Sequence, residues 1–75
     1  MAQERIEVPI AGKIISVYVN VGDEVNEGDT LCLLESMKME NPILTPISGT
    51  VIRIHVSPGQ VVQAGDLVAI VAPLE

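Results

Sequence analysis

The chain has 75 residues, with 4 Lys+Arg against 10 Asp+Glu, a formal net charge of −6. That length allows one small domain, and so few cations with only 1% aromatic residues exclude the counterion release and base stacking that nucleic-acid binding requires. One Cys and one His leave no intrachain disulfide, no Cys-rich metal site and no multi-His metal site, and no apolar run approaches the ~20 residues of a membrane span.

Hydrophobic residues make up 48% of the chain, enough for a core, and Ile and Val supply most of it. β-Branched side chains at that density favour strands over helices. The first residues, Met-Ala-Gln-Glu-Arg, lack the charged-then-apolar pattern of a signal peptide, so a reducing cytoplasm is the expected compartment and no membrane partner is expected.

In chain order the elements come twice. Residues 8–36 and 45–73 align without a gap at an offset of 37, and Pro9/Pro46, Gly12/Gly49, Gly22/Gly59, Val25/Val62, Gly28/Gly65 and Asp29/Asp66 match. After leading segments near 6–9 and 42–46, each copy starts with an extended stretch at period two, 14–19 or 51–56. A turn follows around Gly22 or Gly59, where glycine permits positive φ. A very short strand holds Val25 or Val62, a second turn centres on Gly28 or Gly65, and an apolar strand closes the copy at 31–34 or 67–71. No stretch combines helical periodicity with caps. About eight short strands are therefore expected, in an all-β sandwich or flattened barrel whose halves share one core about a pseudo-twofold axis. The expected unit is a single domain over 1–75, with its core at about 5–73. The axis predicts that the chain ends lie together and that the connector 37–44 is the other special place.

The connector begins Glu35-Ser36-Met37-Lys38-Met39-Glu40-Asn41, and the repeat does not account for it. A reversal here lacks the Asn-Gly or Gly of an ordinary tight turn. Built from Met and Lys it would store backbone strain of the kind found at functional sites. The spacing alone leaves a plainer reading open, with Met37 and Met39 filling gaps in the core and Lys38 a solvated charge.

The string Glu35-Ser36-Met37-Lys38-Met39-Glu40 resembles the biotin-attachment motif of biotinyl domains, as in biotin carboxyl carrier proteins. The resemblance spans about residues 5–73, including the Val-x-x-Gly-Asp turns at Val25–Asp29 and Val62–Asp66. It implies a flattened barrel of two four-stranded antiparallel sheets, a barrel-sandwich hybrid, with a biotinylated lysine at a hairpin tip and the chain ends at the far end. Ser36 stands where Ala is commoner, a tolerable exchange. The gapless match of the two halves indicates the thumbless type found in acyl-CoA carboxylases, pyruvate carboxylase and biotin-dependent decarboxylases. The Ala/Pro-rich linker usual there is missing, which leaves a stand-alone carrier or a C-terminal piece of a larger polypeptide as the two expectations.

The resemblance further implies covalent biotin on Lys38, attached by biotin protein ligase. A biotin carboxylase would load the carrier and a carboxyltransferase would unload it, often onto an acyl-CoA. The domain itself is expected to be non-catalytic. Met37 and Met39 would offer adaptable apolar contact to the ligase, and Glu35 and Glu40 would orient the tip toward basic partner surfaces, unless they are simply solvated. Lys13, the other side-chain amine, aligns with Thr50 at the start of a regular strand. Cys32 aligns with Ala69 and His55 with Tyr18, which reads as packing and strand positions rather than a nucleophile and base. The Gly-Asp pairs lack the alternating acidic ligands of a calcium loop and read as turns. Three rivals remain. A lipoyl carrier typically has Asp-Lys-Ala at its tip, a small enzyme sits poorly with so little His and Cys, and an unmodified structural β-domain would leave Lys38 free.

Overall fold

A computed structural model describes residues 3–74. It contains eight strands: β1 (Glu4–Glu7), β2 (Gly12–Val17), β3 (Glu24–Val25), β4 (Thr30–Ser36), β5 (Met39–Leu44), β6 (Gly49–Ile54), β7 (Val61–Val62) and β8 (Leu67–Pro73). They form two four-stranded sheets, ordered β1-β8-β6-β3 and β5-β4-β2-β7, with every pairing antiparallel. The expected all-β barrel-sandwich with internal pseudo-twofold symmetry is the observed architecture.

The offset of 37 maps one sheet onto the other, strand for strand. It carries the register too: Cys32↔Ile43 and Leu34↔Asn41 in β4–β5 become Ala69↔Ile6 and Val71↔Glu4 in β8–β1. Even the irregularities repeat, with register shifts between Ile14 and Ser16 and between Val51 and Arg53. Each sheet draws two strands from each half. The halves thus interleave instead of docking as two prefolded layers.

Side-chain alternation in the strands sends one set inward. Ile14, Leu31, Leu34, Val51, Val62, Val68 and Val71 are all fully buried, and most of them are partners under the 37-residue offset. Edges are protected by sequence. Pro42, which cannot donate to a ladder, lies on edge strand β5, and edge strand β1 carries Glu4, Arg5 and Glu7.

Glycines 22, 28, 59 and 65 have φ between 89° and 99°, as expected for the four turns. At Asn26–Asp29 the Asp29 amide donates to the Asn26 carbonyl at 2.9 Å, and the Asp29 carboxylate accepts from the Asn26 amide at 2.8 Å. Gln63–Asp66 repeats this at 3.0 and 2.8 Å. The acidic side chain thus closes its own turn, which explains the Gly-Asp pairs.

Strand limits differ from the sequence reading by two or three residues. β2 and β6 begin at glycines 12 and 49, and β1 and β5 start earlier than the leading segments expected near 6–9 and 42–46. Most of the connector is strand β5, the counterpart of β1, so the repeat extends further back than sequence identity shows. The two ends of the described residues do lie together, through Glu4↔Val71. The molecule is elongated, 39 × 19 × 17 Å.

Candidate functional site

Strands β4 and β5 form a hairpin closed by the pair Ser36↔Met39, which leaves Met37 and Lys38 as its two-residue turn. Their φ values are +54° and +65°, and they are the only described residues other than glycine with positive φ. Two-residue hairpins favour this left-handed pair because its twist matches the strands, and they normally fill it with Asn-Gly. Each side-chain-bearing residue held there costs about 1–2 kcal/mol. Cross-strand bonding along the seven-residue β4 holds the turn in this conformation. Past the turn, the Asn41 side-chain amide donates to the Met39 carbonyl at 3.2 Å.

The tip is solvent-facing. Met37 is 89% exposed and Met39 65%, and Lys38, Glu35 and Glu40 are also exposed. The gap-filling reading of the two methionines therefore fails. Glu35 and Glu40 lie directly opposite each other across β4–β5, and Lys13 is the neighbour of Glu35 on β2. Like charges so placed repel, and Lys13 offsets this across the row. Ser36 is buried beneath the turn, where a small side chain fits. Gly12 backs onto the Glu35 carbonyl oxygen so closely that a Cβ would collide with it. The hairpin base is therefore clamped against β2.

Exposure does not separate the two lysines, because Lys13 is exposed too. Backbone does: Lys13 sits within strand β2, paired on both sides, whereas Lys38 is at the apex of a reversal. Beside that apex runs a groove of about 560 Å³, with Ala11, Lys13, Met37, Lys38, Val61 and Gln63 among its lining residues.

Cys32 is fully buried, and burial pushes its thiol up to about 11. It is a packing residue without thiolate character at neutral pH. The His55 amide donates to the Val68 carbonyl at 2.8 Å, as the Tyr18 amide does to the Leu31 carbonyl at 2.9 Å. Both residues hold equivalent, exposed strand-end positions. Sequence reasoning passed over Asn41, Gly12 and Val61. Gly12 was visible only as a matched landmark, and the other two gave no signal.

The profile of a family described as biotin-requiring enzymes matches residues 4–71. The chain belongs to that family. Within it, the chain is similar to a biotinylated protein TB7.3 homolog of Mycolicibacterium smegmatis, 51% identical over 41 residues, or 55% of this chain and 58% of that protein. It is also similar to the gamma subunit of methylmalonyl-CoA decarboxylase from Veillonella parvula, 50% identical over 40 residues, or 53% of this chain and 31% of the subunit. The matched stretches thus cover about half of one relative and a third of the other. A single-chain, multi-domain long-chain acyl-CoA carboxylase superposes with a TM-score of 0.90 and 29% identity, over 97% of this chain and 7% of that one. The biotinyl resemblance read from Met37-Lys38-Met39 and the family assignment agree.

Proposed function

We propose that this domain is a biotin carboxyl carrier in which Lys38 Nζ bears biotin through an amide bond. The observation that supports this most is the Met37-Lys38 turn, held at positive φ on the exposed tip of a stiff barrel, in a chain of a biotin-requiring family. The residues suit the group: the amine is accessible, and its backbone is preset. In attachment, neutral Nζ would attack the carboxyl carbon of a biotin acyl ester supplied by the ligase, the C–O bond to the activating group would break and that group would leave, and the amine would lose a proton as the amide forms, so Lys38 gives up its charge. Biotin then supplies a ureido nitrogen that carries a carboxyl group between partner active sites.

The chain's own part is position and reach. Clamping by Gly12 and β2 keeps the apex in one place, so tethering yields a high effective concentration at each partner. Met37 and Met39 present adaptable apolar surface to the ligase and to later partners, and Glu35 and Glu40 give the tip its acid. The domain is non-catalytic in this reading. Biotin protein ligase modifies it, and a biotin carboxylase and a carboxyltransferase or decarboxylase use it, with an acyl-CoA as carboxyl acceptor in the first case and donor in the second. The decarboxylase gamma subunit and the acyl-CoA carboxylase among its similar proteins support that acyl-CoA class.

Intact-mass measurement after co-expression with biotin protein ligase and biotin tests the reading. One biotin adduct is expected in the wild type and in Lys13→Ala, and none in Lys38→Ala. A lipoyl adduct, or a biotin adduct retained in Lys38→Ala, would overturn it.

A further inference from the structure

The pseudo-twofold axis supplies an internal comparison. The turn segment 20–29 and its counterpart 57–66 have the same backbone, bond for bond. They sit at opposite ends of the barrel: β7 pairs with the tip end of β2, at Gly12 and Lys13, whereas β3 pairs with β6 at Gly49 and Thr50, the end where Gly49 meets Pro73. Their side chains differ in one direction. The far segment carries Asp23, Glu24, Glu27 and Asp29, while the segment at the tip has Gln60, Val61 and Ala64 at the first three of these positions and keeps only Asp66, the turn-closing acid. Folding does not explain the difference, since both sequences support one geometry. Glu24 and Val61 are both exposed, Val61 at 69%. Beside the Glu35–Glu40 pair of the tip, the turn itself thus presents a mostly neutral, partly apolar surface where its far-end counterpart is acidic.

We infer that the Gln60–Ala64 segment, with exposed Val61 of β7, is a contact surface for the biotin protein ligase. This rests on the proposed modification of Lys38. Lys38 and Met37 line the same groove as Val61 and Gln63, so a protein that encloses the Lys38 amine also covers this turn. Glu35 lines the groove too, and the one cation beside this turn, Lys13 opposite Val61, already faces Glu35, so further acids on the turn would be taken out of water against the ligase with no cation of their own, which accounts for their absence. At the far end the acids stay hydrated and cost nothing.

The test grafts the far turn onto the near one. Val61→Glu, and the triple variant Gln60→Asp/Val61→Glu/Ala64→Glu, install residues that the fold already accommodates at the equivalent positions. Initial rates of biotinylation of the purified apo-domain by biotin protein ligase are read by intact mass, with thermal unfolding checking the fold. Val61→Glu is expected to lower kcat/KM at least tenfold, and the triple variant further. Glu24→Val and Asn26→Glu, which change charge only at the far end, are expected to stay within twofold of the wild type. Wild-type rates in Val61→Glu, or an equal loss in Asn26→Glu, would overturn the inference. Failure of the wild type itself to take biotin would instead sink the reading of Lys38.

Discussion

Lys38 and Lys13 share exposure and chemistry, so the difference between them lies in what holds their backbones. A ligase that reads a preset turn sees one lysine at an apex and the other flat within a sheet. Cys32 shows the reverse, a reactive residue type silenced by position. Its thiol is raised from 9.0 to about 11 by burial alone. Because the folded pKa lies above the unfolded one, the group is neutral in both states below about pH 9 and has no effect on stability there. Between about pH 9 and 11 the unfolded chain releases its proton first, so stability falls as pH rises. Urea unfolding at pH 8 and pH 10.5 is expected to show a loss on the order of 1–2 kcal/mol specific to Cys32, since a pKa unit corresponds to about 1.4 kcal/mol. Cys32→Ala, which copies Ala69 of the other half, should lack that component of the pH dependence. Thiol labelling of the native protein at pH 8 should be slow and become fast in denaturant.

The β4–β5 hairpin is the element that separates this chain from an arbitrary small barrel. Its turn forgoes the residues that would stabilise it most. Met37→Asn/Lys38→Gly would supply the preferred pair for a left-handed two-residue turn and relieve both strained positions. Denaturant unfolding is expected to show a gain of about 1–3 kcal/mol, from about 1–2 kcal/mol per relieved residue less the added freedom of glycine in the unfolded chain. With attachment at Lys38 as proposed, the same variant loses the biotin adduct in intact-mass measurement. Unchanged or lowered stability would mean that the tip is not strained. A stability gain with loss of the adduct would set stability against the proposed function at this one element, as expected of a backbone shape retained for presentation.

At the scale of the whole molecule, the interleaving of the halves decides how it folds. Each sheet takes β-strands from both copies, and core side chains such as Ile14 and Val51 are buried in a single cluster. A half-chain ending between Met37 and Lys38 would leave every sheet two strands short and expose its share of that core. Separate peptides 1–37 and 38–75 are expected to be unfolded by circular dichroism and proton NMR, and to gain strand signal only when mixed. A folded isolated half would show that the copies are independent units. The pairing also puts the tip and the described chain ends at opposite ends of the barrel, since Lys13 meets Glu35 and Val61 at one end and Gly49 meets Pro73 and Val25 at the other.

The repeat, the eight strands, the four glycine turns and the unusual reversal at Met37-Lys38 were all legible in the linear sequence. Each depends on local chemistry: glycine's access to positive φ, β-branched alternation, and a Met-Lys-Met string that no ordinary turn would use. The starts of β1 and β5 lie two or three residues before the leading segments expected near 6–9 and 42–46, because register, which no local propensity encodes, is what makes the two strands equivalent. Tertiary structure alone decided that the methionines face water, that Gly12 abuts the Glu35 carbonyl, and that Val61 belongs beside Lys38. Those facts arise where strands distant in sequence meet, and they depend on how the two halves pack.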